Sequence, residues 1–224
     1  MINILKKSGK LENREGMARF GINVANAFGV SVTRIREIAK EIGKNHNLAL
    51  TLWDTGYHEA RMLACIIDEH TKVSEEQMEQ WVLDFDSWDL CDQCCSNLFR
   101  KTPFAYQKIE EWTSREETFV RRAGFVLIAT LAVHDKKAKD VQFIDFFPLI
   151  AEKATDDRNM VKKAVNWALR QIGKRNMDLN KIAVAHAKEL LEMKNKTASW
   201  IANDALRELT NEKTLKRIRK KSQK

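Results

Sequence analysis

The stretch from residue 157 to residue 175 reads DRNMVKKAVNWALRQIGKR, and its periodicity decides the fold class. At about 100° per residue, its apolar side chains fall on one stripe of a helix instead of alternating as in a strand. The stripe consists of Met160, Val161, Ala164, Val165, Ala168 and Ile172. This pattern predicts an amphipathic helix that turns its apolar stripe toward a protein core.

A second face of this helix carries Lys163, Trp167, Arg170 and Lys174, which recur at i, i+4, i+7 and i+11. Stacking on nucleobases requires an aromatic side chain, and neutralisation of phosphates requires basic side chains around it, all outside the core stripe. The same pattern also fits a tryptophan that covers the edge of the core, surrounded by ordinary solvated lysine and arginine side chains. The face is therefore a candidate nucleic-acid surface with a structural alternative.

The rest of the chain shows the same helical periodicity between turn signals. Ser74 with Gln77, and Ser114 with Glu117, have the spacing of capping boxes, which predicts that a helix begins directly after each serine. The predicted helices are 13–28, 32–44, 47–55, 57–69, 75–86, 88–101, 105–113, 115–134, 139–155, 157–175, 178–193 and 197–210.

These helices fall into antiparallel pairs whose second members begin near residues 57, 88, 115, 157 and 197. Spacings of about 27 to 42 residues suit the two-helix unit of HEAT repeats. The tripeptide Ala-Leu-Arg also recurs after 37 residues, at 168–170 and 205–207. We therefore expect an all-α, right-handed α-solenoid of antiparallel helix pairs; an irregular helical bundle is the alternative.

Composition excludes other classes of protein. Glycine and proline number 8 and 2, too few for the turns of a sandwich or barrel, and a hydrophobic fraction of 44% is too high for a disordered chain. The longest apolar run, 124–133, is half of the ~20 residues that a membrane span needs, so we expect a buried helix there. Lys6 and Lys7 follow the start without an apolar stretch, which predicts no secretory signal and a cytoplasmic protein.

The formal net charge of +8 arises at the C-terminal end. Residues 213–224 carry seven basic residues and no acidic one, which leaves 32 basic against 31 acidic residues in 1–212. We predict a single helical domain over 1–212 and a basic tail over 213–224. Such a tail is equally a frayed, solubilising end, so the net charge alone does not establish DNA binding.

Two further helices carry polar or aromatic side chains away from their core faces. In helix 88–101, Trp88 and Asp92 share a face one turn apart, and helix 115–134 directs Arg122 away from its core side. The core stripe of helix 88–101 is Leu90, Cys91, Cys94 and Leu98. Because the second helices of a solenoid line one concave surface, we expect Trp88, Asp92, Arg122 and Trp167 to converge there.

The chain is acidic around the start of helix 88–101, where Asp84, Asp86, Asp89 and Asp92 follow one another. Carboxylates repel a phosphate backbone, so this stretch is unsuited to a surface that only grips DNA. Either it is a solvated acidic face, or one carboxylate serves chemistry. Hydrolysis at a sugar calls for such a carboxylate, because positive charge develops on the ring.

Motifs of other enzyme classes do not occur in the sequence. The one C-x-x-C, at Cys91 and Cys94, has no second ligand pair at zinc-finger spacing, and the five histidines are scattered. Neither a glycine-rich nucleotide loop nor a G-x-S-x-G elbow is found. The sequence therefore predicts no metal and no cofactor.

Four segments, 57–64 (YHEARMLA), 87–92 (SWDLCD), 119–123 (FVRRA) and 161–170 (VKKAVNWALR), occur in an order typical of one family. With them the chain resembles the HEAT-like DNA alkylation-repair glycosylases of the AlkD type, over about residues 13–210. The resemblance implies that Trp88, Asp92, Arg122 and Trp167 flank a damaged nucleotide. Cys91 and Gly124 depart from the family's pattern, and related branches bind DNA without excising bases.

These observations favour a monofunctional glycosylase that hydrolyses the N-glycosidic bond of cationic N3- or N7-alkylated purines in duplex DNA. Alkylation makes the base a good leaving group, so little acid assistance is needed. Asp92 is expected to oppose charge on the sugar and to orient water, and Trp88 and Trp167 to face the cationic sugar or base. Arg122 is expected to hold a phosphate.

The remaining expectations concern DNA binding and the alternatives. Lys163, Arg170, Lys174 and Arg121 are predicted to bind the DNA backbone, in a monomer that associates with the nucleoid when bound to DNA. One alternative is a HEAT-repeat module that binds distorted or branched DNA without catalysis, which has no need of Asp92. The other is a protein–protein scaffold, which needs neither Asp92 nor the basic face of helix 157–175.

Overall fold

The computed structural model describes the backbone of residues 1–222 and the side chains of residues 1–220. Its regular elements in that range are helices, and no strand occurs among them. The helices are α1 (Ile2–Ser8), α2 (Leu11–Arg19), α3 (Val32–Ile42), α4 (His46–Asp54), α5 (His58–Ile67), α6 (Glu75–Leu83), α7 (Trp88–Asn97), α8 (Ala105–Ser114), α9 (Thr118–His134), α10 (Asp140–Ile144), α11 (Phe147–Lys153), α12 (Asn159–Gly173), α13 (Met177–Glu192), α14 (Lys196–Leu209) and α15 (Glu212–Ser222). Over the described residues, no helix offers the length and hydropathy of a membrane span.

The chain forms two compact units, Met1–Ala105 and Tyr106–Lys224. The first contains α1 to α7, and the second contains nearly all of α8 together with α9 to α15. The predicted division into a domain over 1–212 and a tail over 213–224 stays a prediction. The described part of that tail is helical, and the side chain of Lys221 and all of Lys224 lie outside the described residues.

In the first unit α5 is the central helix, because α1, α3, α4 and α7 all pack on it. Trp53 of α4 stacks on Trp81 of α6 with ring centroids 3.8 Å apart. The Trp53 Nε1–H donates to the Asp84 carboxylate at 2.8 Å, and Arg61 pairs with the same carboxylate at 3.1 Å. Asp84, the first residue of the acidic stretch, therefore supports the core of this unit.

Residues 20–31 are not helical, so the predicted helix 13–28 is wrong beyond Arg19, where α2 ends. Gly21 follows with φ of +73°, a left-handed conformation that stops a helix at little cost only in glycine. At Gly29 φ is +80°, and an added Cβ would lie 2.2 Å from the Lys10 carbonyl oxygen. The segment instead folds back on α2, since the Arg14 guanidinium donates to the Val24 carbonyl at 3.0 Å.

In the second unit α12 is central and packs on α9, α11, α13 and α14. The apolar run 124–133 lies in α9, where residues 120–132 are buried, which confirms the prediction of a buried helix. Gly124 has a packing reason: a Cβ there would come 2.9 Å from the Thr113 backbone nitrogen of α8. A glycine thus lets α8 and α9 approach more closely than an alanine would allow.

Two predicted helix boundaries in this part of the chain are wrong. Helix 139–155 is split into α10 and α11, because Pro148 lacks an N–H and fits only the first turn of a new helix. Ser114 does not cap α9; it ends α8 and donates its hydroxyl to the Glu111 carbonyl at 2.7 Å. The cap at Ser74 is confirmed, since its Oγ accepts from the Gln77 N–H at 3.1 Å.

Candidate nucleic-acid interface

The predicted site residues are divided between the two units, each of which is described by itself. The first unit holds Trp88 and Asp92, both on α7. The second unit holds the others, on α9, on α12 and directly after α12: Arg121, Arg122, Lys163, Trp167, Arg170 and Lys174.

Trp88 is the first residue of α7, and the segment 20–31 fixes its side chain. The Trp88 Nε1–H donates to the Phe20 carbonyl at 3.0 Å, while the buried Ser87 hydroxyl accepts from the Asn23 N–H at 2.9 Å. The indole stays half-buried, so one side remains accessible. The non-helical segment that the sequence analysis missed is therefore the support of this tryptophan.

Asp92 lies one turn further along α7 and is half-buried, outside the predicted core stripe. That stripe is confirmed, because Leu90, Cys91, Cys94 and Leu98 are all 0% exposed. Burial, together with the neighbouring thiols, raises the pKa of Cys94 and Cys95 well above the ordinary value, so both stay protonated. A thiol must lose its proton to bind metal, so this packing suits cysteines that act as small core residues.

The other three acids of the acidic stretch serve the structure of the first unit. Asp84 holds Trp53 and Arg61, Asp86 accepts from the Asn23 amide at 2.7 Å, and Asp89 pairs with His58 at 3.0 Å. Asp84 and Asp86 are exposed as well, so the stretch is partly a solvated acidic face whose members also make structural contacts. Asp92 lies on α7 one turn from Trp88, on the helix that also carries Asp89.

His58 and Asp89 form a buried pair that gives the first unit a pH dependence. Burial lowers the pKa of His58, but the hydrogen bond and the charge of Asp89 outweigh burial, aided by Glu59 and Asp86, and the pKa rises above its ordinary value. The stabilisation is complete below the unfolded-state pKa of about 6.5 and is lost as pH rises through the folded-state pKa.

We expect the unfolding free energy of the wild type to exceed that of His58→Gln most clearly near pH 5.5. The difference should shrink steadily as the pH is raised toward 9, because the imidazolium is then neutralised. Urea unfolding at a series of pH values measures this. A difference that is constant with pH would mean that His58 stays neutral beside Asp89.

Glu59 of α5 is a structural residue that the sequence analysis missed. It is fully buried, and its carboxylate accepts from three consecutive backbone N–H groups, those of Phe28, Gly29 and Val30, at 2.6 to 3.1 Å. An acid three residues before the apolar run 62–67 was the available signal, since such a position is buried only when its charge is satisfied. Glu59 thus fastens the segment 20–31 to the central helix.

Arg121 and Arg122 of α9 are both buried, at 6% and 5% exposed. Arg121 donates to Asp156 at 2.7 Å and to Glu116 at 2.9 Å. Burial raises the pKa of Asp156, but hydrogen bonds from Arg158 and Arg121 outweigh it and lower the pKa to about 2. In this geometry the Arg121 guanidinium holds protein carboxylates, which does not favour its predicted contact with the DNA backbone.

The Arg122 guanidinium is anchored differently. Its Nη1–H donates to the Met160 carbonyl at 2.6 Å, at the start of α12. This hydrogen bond fixes the orientation of the buried guanidinium. A guanidinium of fixed orientation is what a phosphate contact requires.

The basic face of α12 has the predicted layout: Lys163 is exposed, and Trp167, Arg170 and Lys174 are half-buried. Two of its three basic residues already form ion pairs, because Arg170 lies 3.0 Å and Lys174 2.8 Å from the Glu208 carboxylate of α14. The sequence spacing could have predicted this contact. The basic residues Arg170 and Lys174 are four positions apart, and the acids Asp204 and Glu208 have the same spacing about one repeat length later.

Trp200 of α14 is an exposed tryptophan that the sequence analysis did not consider. Its ring is 41% exposed, and the Lys162 ammonium lies 4.8 Å from the ring centroid. An exposed cation–π pair of this kind contributes about 0.5 to 1 kcal/mol. Trp200 thus places an aromatic side chain of α14 beside Lys162 of α12.

Glu208→Gln is expected to raise the affinity for duplex DNA about fivefold at low salt. Removing one negative charge about 4 Å from a phosphate site relieves about 1 kcal/mol of repulsion in water. It also removes the carboxylate that Arg170 and Lys174 share, while Arg170 keeps Asp204 at 3.4 Å. Fluorescence anisotropy with a labelled duplex measures this. Glu192→Gln, an exposed site on α13 with the same charge change, is the control; equal effects in both variants would rule out phosphate contacts by Arg170 and Lys174.

Comparison with known proteins bears on the family and the fold of the chain. A family model described as "DNA alkylation repair enzyme" matches residues 1–209. Among curated proteins no match is found. A solved structure described as "A new family of proteins related to the HEAT-like repeat DNA glycosylases with affinity for branched DNA structures" is similar to this chain, with a TM-score of 0.76 and 22% identity over 84% of this chain and 80% of that one. This confirms the prediction of an all-α fold of the HEAT-like class.

Proposed function

The chain belongs to the DNA alkylation repair enzyme family, and from that premise we propose that it is a DNA glycosylase for N3- and N7-alkylated purines in duplex DNA. The family acts on DNA, so we take DNA as the partner that the basic and aromatic side chains contact. The alkylated base, the monomeric state and the cytoplasmic location on the nucleoid are parts of this proposal.

The observation that carries the proposal is the position of Asp92 on α7. Asp92 lies half-buried on α7, one turn from the indole of Trp88, whose position is fixed by a hydrogen bond to the Phe20 carbonyl. A carboxylate in such surroundings interacts more strongly with a nearby positive charge than it would in bulk water. A cationic sugar is such a charge, and it arises as the N-glycosidic bond breaks.

The proposed reaction needs no acid to assist the leaving group. The C1′–N bond breaks with its electron pair going to the base, which neutralises the positive charge that alkylation introduced. Asp92 opposes the charge that develops on the sugar and orients a water molecule. The water oxygen bonds to C1′, and its proton passes to Asp92 or to solvent.

Trp88 has a supporting role in this scheme. Its indole presents an electron-rich face, which attracts a cationic sugar or base within about 6 Å of the ring centroid. The hydrogen bond to the Phe20 carbonyl fixes the ring, so little side-chain freedom is lost when DNA binds.

For the second unit we propose contacts with the nucleic acid. Arg122, held by the Met160 carbonyl, contacts a phosphate, and Trp167 offers a face for stacking. Lys163, Arg170 and Lys174 contact the backbone nearby. Arg121, which is paired with Asp156, supports α9 instead.

The similarity to a protein with affinity for branched DNA favours a second candidate, a DNA-binding module without catalysis. Genomic DNA treated with a methylating agent distinguishes the two candidates. A glycosylase releases free 3-methyladenine and 7-methylguanine, which chromatography detects, and we expect this result. Tight binding to a four-way junction with no base released would establish the second candidate instead.

A further inference from the structure

The helix α15 carries a row of cations to which the proposed chemistry assigns no role. Lys213, Lys216, Arg217 and Lys220 are spaced at i, i+3, i+4 and i+7, so they share one face of the helix. All four are exposed. With Glu212 they line an open cleft of about 430 Å³.

This helix is docked on the second unit by its opposite face. Thr214 and Ile218 are only 5% and 1% exposed, and α13 and α14 pack on the helix. Its first turn is capped, because the Asn211 side-chain oxygen accepts from the Lys213 N–H at 2.9 Å. The four cations are therefore carried by a helix that is packed on the second unit.

The four cations are also unneutralised. None of them forms an ion pair with a described residue, and the nearby Glu212 pairs with Arg219 at 3.4 Å. On α12, by contrast, Arg170 and Lys174 share Glu208. An anionic partner can therefore bind α15 without first displacing a protein carboxylate.

We propose that the exposed face of α15 binds the phosphate backbone of DNA, as a contact surface in addition to the basic face of α12. This inference rests on the proposed function only in taking DNA as the partner. From Lys213 to Lys220 the helix rises about 10.5 Å, and one strand of B-DNA presents a phosphate about every 3.4 Å along its axis. This span covers about three such steps, so the row of four cations matches about four successive phosphates.

The packing of α15 favours nucleic acid over a membrane surface. A helix that lies in a lipid interface inserts an apolar face between the headgroups. Here the apolar face is used up by the protein, since Ile218 is 1% exposed and Leu215 is only half-buried beside it. The exposed side chains of residues 213–220 are all basic, which suits a polyanion whose binding depends on counterion release.

The test is the salt dependence of binding to an unmodified duplex by the full-length chain. The variant Lys213→Gln/Lys216→Gln/Arg217→Gln/Lys220→Gln should lower the slope of log K against log salt by about 3.6, at about 0.9 for each of the four lost phosphate contacts. Its affinity at low salt should fall at least about tenfold. Lys216→Gln and Arg217→Gln alone should each lower the slope by about 0.9, which keeps the test valid if the quadruple variant folds poorly.

A charge-matched control is available in Lys40→Gln/Lys136→Gln/Lys137→Gln/Lys188→Gln, which removes four exposed charges elsewhere. Equal slopes for the wild type and the α15 variants would overturn the inference, as would an equal loss in the control. A wild type that binds vesicles containing phosphatidylserine in preference to DNA would overturn it too. A wild type that excises no base but shows the slope difference refutes the glycosylase and supports the α15 surface.

Discussion

Asp92→Asn is expected to reduce single-turnover excision of 7-methylguanine by orders of magnitude. An amide keeps the shape of the side chain but loses the charge that opposes the developing sugar cation. DNA affinity should stay level or rise slightly, because one repulsive charge near the phosphates is gone. Excision with enzyme in excess over a duplex that carries a single lesion separates these two effects.

Asp54→Asn serves as the matched control, since Asp54 is an exposed acid of the same unit. Both variants should unfold within about 0.5 kcal/mol of the wild type, as surface substitutions do. Excision by Asp92→Asn within about twofold of the wild type, with an unfolding free energy also unchanged within about 0.5 kcal/mol, would show that Asp92 is only a helix-surface residue. The non-catalytic DNA-binding module would then be the preferred interpretation.

Glu59→Ala is expected to lower the unfolding free energy by about 3 to 5 kcal/mol, a large part of the stability of an ordinary domain. The substitution leaves the N–H groups of Phe28, Gly29 and Val30 without the carboxylate that they share, and Gly29 and Val30 donate within the buried interior. Each buried donor without a partner costs about 1 to 3 kcal/mol. Denaturant unfolding followed by tryptophan fluorescence measures the change.

Glu15→Ala is the control for Glu59→Ala, because Glu15 is an exposed acid on α2. It should change the unfolding free energy by no more than about 0.5 kcal/mol. Because the segment 20–31 supports Trp88, Glu59→Ala should also weaken excision at temperatures where the variant remains folded. A loss of less than 1 kcal/mol would mean that water satisfies the three N–H groups and that the segment is not fastened by Glu59.

The sequence predicted the helical class because its apolar side chains repeat at helical spacing over long stretches. The core stripe of α12 and the buried run in α9 were found this way, and packing against their neighbours confirms both. The same face analysis separated Trp88 and Asp92 from the core of α7. Periodicity suffices for such inferences because each depends on one helix alone.

Features that depend on contacts between distant residues were not predicted. Helical periodicity in 13–28 gave no sign that Gly29 would approach the Lys10 carbonyl or that Glu59 would bind the turn that follows. The pairing of Arg170 and Lys174 with Glu208 likewise joins residues more than 30 positions apart. Such pairs decide which bases remain available to DNA, so charge counting along the sequence overestimates the α12 face.

The most direct test of the central claim is a single-turnover assay of the wild-type chain on a duplex that carries one 7-methylguanine. The account predicts release of one free 7-methylguanine per duplex, which leaves an abasic site that hot alkali cleaves, and no release from an unmodified guanine at the same position. Saturated binding to that duplex with the lesion still attached would contradict it.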